Sequence, residues 1–202
     1  AVGKVAVAGA TAVSNLLIDI RQKLTELANS SISASQRTII QNDFAELVSQ
    51  AANFVANATY NGFELLTSDA GSVNTLANLG GGQLALTAQP NVKLLINSLA
   101  AGTTATAVNA QSVISIQFTN LQTAVASALG TIGAEVRALE QQTGFLEELR
   151  DTTQIGLGNI VDADLARESA KLTSQQIQQE LSVQTLSIAN TRPNTILSLF
   201  RG

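Results

Sequence analysis

Two acidic pairs, Glu147-Glu148 and Asp162 with Asp164, and a triple glycine, Gly80-Gly81-Gly82, are where this sequence comes nearest to catalytic or ligand-binding chemistry. Paired carboxylates can divide acid and base roles or share a cation, and a glycine-rich turn can cradle phosphate. None of the three is completed. Neighbouring residues on a helix point about 100° apart, so Glu147 and Glu148 do not converge, and neither acidic pair sits in the oxygen-rich alternation of a calcium loop. Gln83-Leu84 follow the glycines where a phosphate loop needs Lys-Ser/Thr. The chain has no His and no Cys. Ser-His and Cys-His nucleophiles and the H-E-x-x-H metal centre are therefore excluded, and the expectation is a non-enzyme with no cofactor and no metal. Asn29-Ser30-Ser31 and Asn57-Ala58-Thr59 match the glycosylation triplet, a pattern frequent by chance, and Thr103, Thr104 and Thr106 offer hydroxyls for modification.

The elements that would carry such groups must be helices built from small and aliphatic residues. Hydrophobic residues make up 45% of the chain, yet Trp and Met are absent and the aromatics are six Phe and one Tyr. Burial has to come from Ala, Val, Leu and Ile on closely packed helices. A formal net charge of −4 gives no basic field for nucleic acid. Charges or amides interrupt every apolar run, so no membrane insertion is expected. Absent cysteine rules out a disulfide framework. The opening Ala1-Val2-Gly3-Lys4 has neither a leader nor an initiating Met, which predicts that the natural start lies upstream.

Residues 1 to about 30 read as a helix, with Val13, Leu16, Leu17, Ile20, Leu24 and Leu27 recurring at three- and four-residue steps. Ser33 with Gln36 fits a capping box, and Ile40, Phe44, Leu47, Ala51, Phe54 and Ala58 continue as a second seam. From about 107 to 155 a third seam runs through Phe118, Leu121, Val125, Ala128, Ile132, Val136, Leu139, Leu146 and Leu149. Gly156 and Gly158 predict a break, with Asp162 opening a terminal helix as its N-cap. In that helix Leu165, Leu172, Leu181, Ile188 and Leu199 are expected near one stripe, an apolar face in need of a partner. Residues 67–117 carry only two charges, Asp69 and Lys93. There a small hairpin is expected, Leu84-Ala85-Leu86-Thr87 against Val92-Lys93-Leu94-Leu95 around Gln89-Pro90-Asn91, with a helix from Val92 to Leu99 as the competing reading.

At four points in the last forty residues the chain resembles bacterial flagellin: Asp162-Ala163-Asp164-Leu165-Ala166, the glutamine-rich helix after it, Ala189-Asn190 with Pro193, and the ending Leu197-Ser198-Leu199-Phe200-Arg201. A second region, Glu26-Leu27-Ala28 followed by Tyr60-Asn61-Gly62-Phe63-Glu64-Leu65-Leu66, is similar to the family's first helix and its F-N-G segment. Asn61 and Gly62 both tolerate positive φ and are the expected turn. The likeness covers about residues 1–66 and 118–202. The large outer domains of longer flagellins have no counterpart, and the resemblance implies about fifty preceding residues that would pair with the terminal helix.

What the resemblance implies is a mainly α chain: an elongated antiparallel helical bundle or coiled coil with a small β-hairpin region and a long C-terminal helix. The expected parts are 1–66 and 107–157 as the helical rod, 67–106 as a variable β and loop region, and 158–202 as a polymerisation helix. Leu165, Leu172, Leu181, Ile188, Leu197 and Leu199 are the candidates for inner packing. Leu24, Leu27, Phe44, Leu47, Phe54, Leu121, Ile132 and Leu139 are the candidates for the rod. The implied function is a subunit of the extracellular flagellar filament that self-assembles for motility. Implied partners are further copies of itself, the flagellar cap, hook-associated proteins and an export chaperone. Thr25 stands where an arginine commonly precedes E-L-A, which puts recognition by the innate immune receptor of the family in doubt. Competing readings are a hook–filament junction protein and a glycan-binding surface adhesin using the hydroxyl- and amide-rich middle.

Overall fold

A computed structural model of the chain describes residues 1–67, 71–78 and 80–199, with side chains as far as residue 190. The chain divides into two compact units, residues 1–144 and 145–202. Six elements open the first unit: α1 (Val2–Leu27), α2 (Ala34–Asn57), β1 (Thr59–Tyr60), β2 (Phe63–Glu64), β3 (Val73–Leu76) and β4 (Gln83–Leu86). They are followed by α3 (Asn91–Ala100), α4 (Ala107–Val113), a π-helical turn (Ile114–Phe118) and α5 (Thr119–Leu199), which continues through the second unit. Among the described residues the chain is thus mainly α, with two small antiparallel strand pairs, β1–β2 and β3–β4.

Helices α1 and α2 run antiparallel, as Lys23 pairing with Asp43 and the close approach of Gly9 to Ala58 require. A Cβ at Gly9 would lie 2.6 Å from the Ala58 methyl, so only glycine lets the two backbones meet there. The turn between them is held by the capping box at Ser33 and Gln36 and by Arg37. The Arg37 guanidinium donates to the carbonyls of Leu27 (2.6 Å) and Asn29 (2.9 Å), satisfying acceptors that the end of α1 leaves open. It also reaches the Thr104 carbonyl at 3.4 Å, which ties the approach to α4 to the same corner. At the opposite end of α1, Lys4 lies 2.6 Å from Glu140 of α5. The hydrogen bond and charge of Lys4 hold the Glu140 carboxyl below the usual range.

The core is a single cluster in which Ile20, Leu24, Leu27, Leu65, Leu66, Ile96, Leu99, Leu121 and Ile132 are fully enclosed. α1 has the length and hydropathy of a membrane span by composition. Its apolar face, from Ala6 through Val13 and Ile20 to Leu27, instead packs into this core. Along α4, the π turn and α5 the buried positions are Ala110, Val113, Phe118, Leu121, Val125, Ala128 and Ile132. Every step along this stripe is three or four residues except the five from Val113 to Phe118, and there the π turn absorbs the extra residue. Hydroxyls serve the carbonyls around that turn: Thr119 donates to Ile114 (2.9 Å) and Ser115 to Ser112 (3.1 Å).

Two local expectations are corrected. The strand Gln83–Leu86 pairs with Val73–Leu76, not with residues 92–95. Val92 to Leu95 belong to α3, where Pro90 precedes the first turn with φ −63° and Val92, Ile96 and Leu99 bury one helical face. Three apolar residues at spacings of four and three favour a helix over a strand that would have turned Val92 and Leu94 to one side. The break expected at Gly156 and Gly158 is absent: both lie inside α5, and Asp162 caps nothing. With four successive backbone bonds spanning any one residue, two separated glycines weaken a helix by about 1 kcal/mol each without ending it.

Candidate functional site

The second unit is built on the part of α5 from residue 145 onward, and its side chains stand in solvent from Glu147 to Asn190. Several hydroxyls along this stretch are satisfied within the helix. Thr153, Thr173, Ser182 and Thr185 donate to the carbonyls four residues earlier, at 2.7 to 2.9 Å. Lys171 lies 3.9 Å from Glu168 and Arg150 3.0 Å from Asp151, both pairs exposed. After Lys171 the only charge before Arg192 is Glu180. Beside its exposed glutamines, this stretch offers a partner a series of aliphatic side chains.

Leu165 is 61% exposed, Leu172 53%, Leu181 55% and Ile188 60%. Apolar side chains this exposed, several on one helix, are expected of a surface completed by another molecule. Their placement differs from one stripe. At about 100° per residue Leu165 and Leu172 share one side of the helix, whereas Leu181 and Ile188 lie some 140–160° away. Leu157, Val161, Val183 and Leu186 fall with the first pair and Ile177 with the second, and all five are exposed. The helix therefore carries two apolar faces, which a search for one amphipathic stripe merges into one. Leu197 and Leu199 lie outside the residues whose side chains are described, and Phe200 and Arg201 outside the described residues altogether.

The rod candidates occupy the first unit. Leu24, Leu27, Phe44, Leu121 and Ile132 are buried, and Leu47, Phe54 and Leu139 are half-buried against the same cluster. On α2 Val48 and Val55 are buried beside Phe44 and Ala51, and the expected seam passes over them. That helix contacts α3 as well as α1, so its buried face is wider than a two-helix seam. Asn61 and Gly62, at φ 52° and 78°, form the two-residue turn of the β1–β2 hairpin and set Tyr60 opposite Phe63, with both rings exposed. Thr25 is exposed and its hydroxyl donates to the Arg21 carbonyl at 2.8 Å. Glu147, Glu148, Asp162 and Asp164 are all exposed on α5.

Comparison with known proteins places these features in a family context. Residues 117–200 match the model of the bacterial flagellin C-terminal helical region. The chain is 34% identical over 197 residues to flagellin FljM of Caulobacter vibrioides, covering 98% of this chain and 72% of that protein. It is 31% identical over 195 residues to a flagellin of Brucella melitensis, covering 91% of this chain and 68% of that protein. In fold it is similar to the crystal structure of Bacillus cereus flagellin, with a TM-score of 0.62 at 17% identity over 70% of this chain and 81% of that one.

Proposed function

The chain belongs to the flagellin family, and from that premise we propose that its second unit is the segment through which neighbouring subunits are joined. The protein is a structural subunit of the bacterial flagellar filament, in a family of structural rather than enzymatic proteins. The observation that carries the proposal is the pair of aliphatic faces on residues 145–190. A helix with one apolar face is satisfied by one neighbour, but a helix with two needs neighbours on both sides. Unlike faces on identical copies make heterologous contacts, which propagate as an open helical polymer when the rotation does not close.

Assembly of this kind also controls itself. A long helix without a buried face holds its shape poorly in water, and ordering it on binding consumes about 2–5 kcal/mol of interaction energy. Single subunits are thereby kept from polymerising early. An export chaperone covering Leu165, Leu172 and Leu181 would add to that restraint. The cap and the hook-associated proteins would meet the same faces at the two ends of the filament. Neither a junction protein nor a glycan-binding adhesin is better supported than the filament subunit. Electron microscopy of filaments sheared from cells that make this chain, with mass spectrometry of their subunit, tests the reading. The chain is expected along the whole filament, and its confinement to the filament base would favour the junction protein instead.

A further inference from the structure

Asn61-Gly62 is the one place in the chain where glycine follows asparagine. The backbone nitrogen of the following residue can attack an asparagine side-chain amide, and a Cβ on that residue is the chief steric obstacle. Glycine has none. The fold leaves both reacting groups free. Asn61 and Gly62 are exposed, and among the described residues neither the Asn61 side chain nor the Gly62 N–H has a hydrogen-bond partner. Nothing lies within 4 Å of the place a Cβ on Gly62 would occupy, so the peptide has room to turn.

Other asparagines lack one of these conditions. Asn29-Ser30 is also exposed, but the Asn29 Oδ1 accepts from the Ser31 N–H at 2.8 Å and its carbonyl accepts from Arg37 at 2.9 Å. Asn97-Ser98 lies inside α3, where the helix holds the attacking N–H in a backbone bond. The hairpin supplies mobility as well. β1 and β2 have two residues each, and a two-stranded pair this short is marginal on its own. Local opening at such a tip costs little, and it frees Asn61 from its left-handed conformation, φ 52°, for the rotation that ring closure requires.

We propose that Asn61-Gly62 is a self-modification site, at which the turn of the β1–β2 hairpin is converted to an isoaspartyl linkage and the hairpin opens. The Gly62 nitrogen gives its proton to base and bonds to the Asn61 Cγ. The Cγ–Nδ2 bond breaks, and the leaving nitrogen takes a proton from solvent and departs as ammonia. Water then opens the cyclic imide at either carbonyl. One opening gives aspartate, and the other gives isoaspartate, whose main chain runs through the side-chain carbon. Both products add a negative charge to a chain whose net charge is −4. Isoaspartate also lengthens the main chain by one carbon, in a turn that closes only with two residues at positive φ. The register that sets Tyr60 opposite Phe63 is thereby lost. This chemistry is independent of the filament reading.

Tyr60 is the single tyrosine and the chain has no tryptophan, so tyrosine fluorescence anisotropy reports on this hairpin alone. The full chain is held in mildly alkaline buffer, and isoaspartate is located by peptide mapping and by enzymatic isoaspartyl methylation. Conversion at residue 61 is expected to be at least tenfold faster than at Asn29 or Asn97, with the anisotropy falling in step. Asn61→Gln, which would have to close a larger and slower-forming ring, is expected to hold its anisotropy constant. An amide that survives at residue 61 in the folded chain, while the same chain in denaturant is converted, overturns the proposal. Equal conversion at Asn29 or Asn97 overturns it too. So does full conversion at residue 61 with unchanged anisotropy, or the same fall in anisotropy in the Asn61→Gln variant.

Discussion

Replacing both Leu172 and Leu181 with aspartate abolishes filaments and leaves residues 1–144 folded. Both leucines are more than half exposed, so the isolated subunit loses little by the change. A surface substitution of this kind ordinarily moves stability by no more than about 0.5 kcal/mol. In the assembled state each leucine would be enclosed, and losing its burial forfeits about 1.5–3 kcal/mol. Two such losses weaken association by a factor on the order of 10²–10⁴, before the cost of desolvating two carboxylates is added. Because the two positions lie on different sides of the helix, each single variant should impair a different contact. Sedimentation of assembled polymer and electron microscopy measure the loss, while thermal melting by circular dichroism measures the first unit. Normal filaments from the double variant would refute the assignment of these faces.

The second large effect falls on folding. Leu24 is fully buried in the core shared by α1, α2 and α5, and Leu24→Ala is expected to cost the first unit about 2–5 kcal/mol. For a unit of this size that corresponds to a fall in melting temperature of about 6–15 °C. Leu94→Ala, at a position 50% exposed on α3, should change stability by no more than about 0.5 kcal/mol. Comparable losses at the two positions would mean that the core does not lie where the helix faces put it. Together the Leu172/Leu181 and Leu24 substitutions separate the roles of the two units, since one removes assembly without unfolding and the other unfolds without touching an assembly face.

The helices of the first unit could be read from sequence because their apolar residues recur at helical spacing and their ends carry local chemistry. Leu16 to Leu27 and Ser33 with Gln36 are examples in which periodicity and capping agree. The β3–β4 hairpin was harder. Val73–Leu76 exposes three of its four residues, so it carries no burial pattern to mark its partner strand. Pairing at that distance is decided by backbone hydrogen bonds and by Leu86 entering the core. The π turn left a trace in the five-residue step between Val113 and Phe118, a step that a reading of mostly three- and four-residue spacings passes over. The two faces of residues 145–190 were hidden for a different reason. Leucines seven residues apart, as Leu165 and Leu172 are, suggest one continuous stripe, and only the nine-residue step to Leu181 carries the pattern round the helix. What a neighbour would cover is legible as exposure in the folded chain rather than as spacing alone.

Amide hydrogen exchange across residues 145–190, measured on the dissociated subunit and on the filament, tests most directly whether neighbouring copies complete this helix. Exchange is expected to be fast in the subunit, where no packing protects the backbone, and slower by at least a factor of about 100 in the filament, the equivalent of about 2.7 kcal/mol. A dissociated, monomeric subunit in which this stretch is already as protected as it is in the filament would contradict the account.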